Sequence, residues 1–154
     1  MGTTGGGCPK TWSPPVQLSQ AKPADVPAMH EVRLAVRENT LSDPNRITAA
    51  NYADALNALG RTWVVETEGK VAAFASGYRT GSIWALFVHP DYQRRGYGKA
   101  LHDTVVTWLW SLGHQRIWLS TAPGTRAEHF YVTQGWRHCG TVLGGDIRLE
   151  LDNA

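Results

Sequence analysis

An α/β fold, with a mixed and mostly antiparallel sheet flanked by helices on both faces, is predicted by three features of this sequence. The hydrophobic period switches between two and about 3.6 residues, in the order strand, two helices, three strands, helix, strand, helix, two strands. Short turn signals, Glu68-Gly69 and Thr80-Gly81, join the three central strands as antiparallel neighbours. The chain has 154 residues, enough for one hydrophobic core and too few for two ordinary enzyme domains.

Residues 1–15 include Gly2, Gly5, Gly6, Gly7, Pro9, Pro14 and Pro15, a density that neither a helix nor a paired strand tolerates. A flexible tail is therefore expected ahead of one domain at 16–154. The run 16–20 alternates apolar and polar residues and reads as the first strand. Beyond Pro23, the apolar positions Val26, Met29, Val32, Leu34 and Val36 predict a helix ending around Arg37. A polar loop at 38–45 follows, and a second helix is expected from Thr48, a good N-cap, through Tyr52, Ala55, Leu56 and Leu59 to a stop at Gly60.

Strands follow at 61–67, 70–78 and 82–89, runs that carry β-branched and aromatic residues and are separated by the two turn signals. From Gly96 the apolar positions Leu101, Val105, Trp108, Leu109 and Leu112 define one helical face that Gly113 ends. A short buried strand at 117–120, a helix over about 125–133 stopped by Gly135, and two strands flanking Gly144-Gly145 complete the chain.

Composition narrows the function. With 42% hydrophobic residues, seven Trp, five Tyr and three Phe, the chain can bury a core, which excludes disorder for its body. The net charge of +2 comes from scattered Lys and Arg, so no nucleic-acid partner is expected and small substrates are favoured. Cys8 and Cys139 form neither a disulfide framework nor a metal knuckle, and read as free thiols of a cytoplasmic protein. No apolar run suits a membrane span. The six histidines show no i, i+4 pair or familiar ligand spacing, so no metal is expected.

The most informative segment runs from Phe87 to Leu101, where a strand ends, turns through Gln93-Arg94-Arg95-Gly96-Tyr97-Gly98-Lys99 and launches an amphipathic helix. Such a junction offers backbone N–H groups and the positive end of a helix dipole to an anion. Gly96 and Gly98 allow close approach, and Arg94, Arg95 and Lys99 add charge, so a pyrophosphate cradle is expected. Three rival phosphate motifs fail. No third Gly and later acidic residue complete a dinucleotide fingerprint, Gly98-Lys99 is followed by Ala100 where a Walker loop needs Ser or Thr, and the protein-kinase sequences are missing.

Residues 93–98, Gln93-Arg94-Arg95-Gly96-Tyr97-Gly98, resemble the Q/R-x-x-G-x-G/A signature of the GNAT acetyltransferases, and 127–136 resemble that family's A-x-x-F-Y-x-x-x-G-F segment. The resemblance spans about 16–151. It implies that acetyl-CoA lies where two parallel strands, 82–88 and 117–120, splay apart, with main-chain groups of Phe87 and Val88 on the pantetheine arm. It also implies that Phe130 contacts the cofactor and that Tyr131 protonates the departing thiolate as a general acid.

Two positions depart from the pattern. The Asn that often stands three residues before A-x-x-F-Y is Gly124, which leaves Thr125 as the side chain able to reach the cofactor there. The strand position that often carries a Glu base is Trp84. A base must come from elsewhere, and Glu38 is the first choice over Asp43, Glu66 and His89. Trp84, Trp63 and Tyr78 either wall the acceptor site or fill the core. The expected activity is acetyl transfer from acetyl-CoA to a primary amine of a small molecule or peptide, by direct attack without a covalent enzyme intermediate. The alternative is a non-catalytic acyl-CoA-binding or sensing module, and the family resemblance also suggests a homodimer.

Overall fold

The computed structural model describes residues 16–36, 51, 52, 54, 56, 59–142 and 144–153. The expected tail at 1–15, the loop at 38–45 with Glu38 and Asp43, and the start of the second helix at Thr48 lie outside the described residues. Of that helix, Asn51, Tyr52, Asp54 and Leu56 have helical backbone, and the Leu59 N–H closes its last turn on the Asp54 carbonyl at 2.9 Å.

Strand β1 is Val16–Gln20, and helix α1, Val26–Ala35, is entered through a 3-10 turn at Pro23–Asp25. The Asp25 carboxylate accepts from the Lys22 N–H at 2.9 Å, satisfying one of the donors a helix start leaves open. The helix stops at Ala35, slightly before the expected end, because Val36 is already extended. Strands β2 (Gly60–Thr67), β3 (Lys70–Tyr78) and β4 (Ser82–Val88) form the central meander. Helix α2 is Tyr97–Ser111, β5 is Arg116–Thr121, α3 is Arg126–Thr133, β6 is Arg137–Thr141 and β7 is Ile147–Asp152.

Gly60 belongs to a strand, not to a helix stop. It pairs with Tyr78, and a Cβ there would stand 2.0 Å from the Gly77 carbonyl oxygen, so only glycine permits this approach.

The seven strands form one sheet in the order β1-β2-β3-β4-β5-β7-β6. Every pair is antiparallel except β4 with β5. The central strands are apolar on both faces because both are covered. Trp63, Val65, Ala73 and Ala75 pack with Leu101, Val105 and Leu109 of α2, whereas Val64, Phe74 and Ala85 pack with Met29 and Val32 of α1 and with Tyr52 and Leu56.

Gly77 lies at a bulge in the β3–β4 pairing, and it lets α2 lie close to the sheet. A Cβ there would meet Val105 Cγ1 at 3.0 Å and the Trp108 ring at 3.2 Å. Gly77→Val is expected to overpack this contact and cost about 1–3 kcal/mol of stability, read from denaturant unfolding. An unchanged unfolding midpoint would show that α2 can move away freely.

Candidate active site

Strands β4 and β5 are paired only at Ser82 and Trp118, next to a bond from the Trp118 N–H to the Gly81 carbonyl at 3.0 Å. Beyond that rung the two strands share no ladder, and a small cavity of about 40 Å³ opens between them, lined by Trp84, Phe87, Leu119, Thr121 and Tyr131. A larger cavity of about 470 Å³ shares Leu86, Phe87, Ala127 and Tyr131 with it and extends to the β4–α2 loop, where Arg94, Gly96, Tyr97, Gly98 and Lys99 line it. The expected cradle and Tyr131 thus border one continuous space, with Phe87, Val88 and Phe130 between them.

The loop is built to present amides. Arg94 and Gly96 adopt left-handed φ of 65° and 86°, an uncommon conformation for arginine. Gly96 is the N-cap of α2 and no side chain caps the helix, whose first turn also lacks an acidic residue. The first intrahelical bond runs from the Ala100 N–H to the Gly96 carbonyl at 3.1 Å, so the N–H groups of Tyr97, Gly98 and Lys99 point past the helix end at its positive pole.

The two glycines serve different purposes. A Cβ on Gly96 would touch nothing within 4 Å, so its φ makes glycine necessary; a Cβ on Gly98 would lie 3.6 Å from Val88 and 4.0 Å from Phe130, taking space from the cavity. Arg95 does not line the cavity; its guanidinium lies 5.2 Å from the Tyr92 ring centroid. Lys99 does line it, with Nζ donating to Asp103 Oδ2 at 3.0 Å.

Arg126, which sequence reasoning passes over, donates from α3 to the Gln93 side chain and so bridges the two walls of the larger cavity. Its only sequence signal is its place beside Ala127, at the head of the second motif.

Tyr131 is 5% exposed and lines both cavities. Burial pushes its hydroxyl far above the ordinary phenol range, so it stays protonated. Its ring is held by Phe130 at 5.3 Å and Trp136 at 5.5 Å. Thr125 is occupied elsewhere. Its hydroxyl caps α3, accepting from the Glu128 N–H at 3.3 Å and donating to the Ala122 carbonyl at 2.9 Å, and it lines neither cavity. Glu128 in turn accepts from the Gly124 N–H at 2.6 Å, which holds its carboxyl below the usual range, helped by His138.

The candidate bases are not gathered here. Glu38 and Asp43 lie outside the described residues, Glu66 sits on β2, and the His89 ring accepts from the Asp91 N–H at 3.1 Å as the cap of a 3-10 turn. Among the described residues lining the two cavities there is no carboxylate or imidazole. Of the three aromatic candidates, Trp84 lines the small cavity with Tyr78 stacked on it at 6.0 Å, whereas Trp63 packs against Trp108 in the core. Among the described residues no group of three or more His, Cys, Asp or Glu could hold a metal, and no helix is long and apolar enough to cross a membrane.

One buried histidine adjoins the site. His102 of α2 accepts at Nε2 from the Trp136 indole N–H at 3.0 Å, and its Nδ1 lies 2.9 Å from Asp103 Oδ1. An indole only donates, so the imidazole proton resides on Nδ1 and points at the carboxylate. Burial holds the imidazole below its ordinary value, against the opposing pull of Asp103.

Residues 26–136 match the family described as Acetyltransferase (GNAT) family. The chain is 30% identical over 128 residues to the peptidyl-lysine N-acetyltransferase YiaC of Escherichia coli, covering 77% of this chain and 82% of that protein. It is 40% identical over 55 residues to an uncharacterized ycf52-like N-acetyltransferase of Prochlorococcus marinus; that match covers 36% of this chain and 29% of the relative's length. The fold superposes on the PaiA N-acetyltransferase of Thermoplasma acidophilum in complex with coenzyme A, with a TM-score of 0.76, 13% identity, and coverage of 90% and 99% of the two chains.

The buried His102 makes a pH prediction. A depressed folded value means that the unfolded chain takes up the proton first, so this contribution is fully present above the ordinary imidazole value of about 6.5 and is lost as pH falls towards the folded value. The thermal midpoint should fall as the pH is lowered below about 6.5, and His102→Gln should flatten that slope. Parallel slopes for the two proteins would contradict the assignment.

Proposed function

The chain belongs to the acetyltransferase (GNAT) family, and we propose that it transfers the acetyl group of acetyl-CoA directly to a primary amine of a small molecule or peptide, without a covalent enzyme intermediate. One observation carries this reading: a single cavity runs from the amide-rich start of α2 along the β4 edge to Tyr131, whose burial keeps its hydroxyl protonated. The residues fit such a cosubstrate. The open N–H groups of Tyr97, Gly98 and Lys99, with Arg94 and Lys99, suit a pyrophosphate, and the unpaired edge of β4 at Phe87 and Val88 suits the amides of a pantetheine arm. Arg95 acts from outside the cavity through its charge. Thr125 holds the start of α3 through its hydroxyl.

Acetyl-CoA supplies a thioester already activated towards attack. A neutral amine forms the new C–N bond as the C–S bond breaks, the amine proton leaves to a base, and the Tyr131 hydroxyl gives its proton to the departing sulfur. Glu38 is the proposed base; Val36, two residues earlier, lines the cavity. The peptidyl-lysine specificity in YiaC's name supports a lysine ε-amino group as one acceptor.

The absence of a carboxylate or imidazole among the described lining residues favours one rival, a module that binds acyl-CoA without turnover. Release of free thiol from acetyl-CoA, accelerated by members of an amine panel, supports the transferase; tight binding with no acceleration by any amine supports the module. Dialysis against a chelator should leave turnover intact, and activity restored only by added zinc or magnesium would contradict this mechanism.

Tyr131→Phe keeps the ring and its packing, so thermal stability should change little while single-turnover transfer at saturating cofactor and amine slows about 10²-fold. A wild-type rate would remove Tyr131 from the chemistry.

A further inference from the structure

We propose that His102 is a positioning residue, which locks Tyr131 of α3 to the anion cradle at the start of α2 through Trp136 on one side and Asp103 and Lys99 on the other. This rests on the reading of Tyr131 as the general acid. Tyr131 makes no hydrogen bond through its hydroxyl to any described residue, so the place of its phenolic oxygen depends on how its ring is packed. Phe130, Trp136 and His102 pack it, the imidazole centroid lying 6.2 Å away.

His102 is central to that packing. It also meets Phe130 at 5.6 Å and Trp136 at 6.2 Å, so one imidazole touches all three rings. Trp136 is bound to Tyr131 twice, by ring contact and by its backbone N–H donating to the Tyr131 carbonyl at 3.0 Å. Fixing the indole therefore fixes the helix turn that carries Tyr131. The indole N–H is buried and finds its acceptor in His102 Nε2; an apolar residue at 102 would leave that donor unsatisfied.

The opposite nitrogen anchors the imidazole to Asp103, whose other oxygen accepts from Lys99 in the cavity lining. The titratable groups facing His102 are thus Asp103 and Lys99 from its own helix and Tyr131 from α3. A helix carrying the phosphate site and a helix carrying the acid are cross-braced by one side chain. A space-filling role would need only a ring of similar size, whereas this role needs an acceptor towards Trp136 and a donor towards Asp103.

The test compares purified full-length wild type, His102→Phe, His102→Gln, Tyr131→Phe and the double variant His102→Phe/Tyr131→Phe. Acetyl-CoA affinity is measured by calorimetry and acetyl transfer by single turnover at saturating cofactor and amine. His102→Phe should slow transfer about ten- to a hundredfold, the scale of a catalytic group misplaced by about 1 Å, while acetyl-CoA affinity stays near wild type. His102→Gln, which can accept from the indole and donate to Asp103, should transfer at close to the wild-type rate. In the Tyr131→Phe background, His102→Phe should cause no further loss.

A wild-type rate for His102→Phe, a rate loss matched by lost cofactor affinity, or a full additional loss in the Tyr131→Phe background would each overturn the proposal. If Tyr131→Phe itself is fast, the general-acid reading falls, and with it any role for His102 through that hydroxyl; a fast His102→Phe beside a slow Tyr131→Phe sinks the positioning role alone. Should His102→Phe fail to fold, Trp136→Phe removes the indole donor and carries the same comparison.

Discussion

Two neighbouring parallel strands that share a single rung leave their facing backbone edges without sheet partners, and the rest of this structure is arranged around that gap. Buried N–H and C=O groups without partners cost about 1–3 kcal/mol each, so the separated edges of β4 and β5 favour an extended polar ligand able to run between them. The antiparallel sections on either side, β1 to β4 and β5 with β7 and β6, are hydrogen-bonded ladders broken only by local bulges, and they hold the two edges apart. The opening is thus a feature of the sheet and not of its loops.

Both chemical ends of the site follow from what each splayed strand leads into. Strand β4 runs through the turn at Pro90–Tyr92 into α2, whose uncapped start faces the cavity, and β5 runs through the Thr125 cap into α3, which carries Tyr131. The proposed anion site and a protonated hydroxyl are therefore set by the spacing of two helices packed on one sheet face. Gly77 fixes how closely α2 approaches that face, and Arg126 with Gln93 and His102 with Trp136 tie α3 to α2 and its loop. The Lys99–Asp103 pair is exposed and contributes little to stability in itself; its effect is to orient a lysine at the cavity and a carboxylate at the imidazole.

Much of this was legible in the sequence, for identifiable reasons. The central strands and α2 announce themselves by clear changes of hydrophobic period, and the glycines of the β4–α2 loop mark a backbone that must approach something closely. Strand order was less legible: β7 inserts between β5 and the edge strand β6, and a sequence period says which residues alternate but not which neighbour they meet. Gly60 looked like a helix stop because a C-terminal glycine and a glycine under a crossing carbonyl are identical in one dimension. Thr125 stands next to Gly124, and the cap its hydroxyl forms on α3 shows only once Glu128 is placed beside it. His102 is one apolar-face histidine among six, and its meaning depends on an indole 34 residues away.

In the proposed function acetyl-CoA occupies the gap with its pyrophosphate on the start of α2. The most direct measurement is backbone amide chemical-shift mapping of the labelled protein during titration with acetyl-CoA. The largest shifts are expected at the amides from Arg94 to Lys99 and at Phe87 and Val88, with smaller changes around Tyr131. Saturable binding whose shifts fall on another face of the sheet, leaving those amides unmoved, would contradict it.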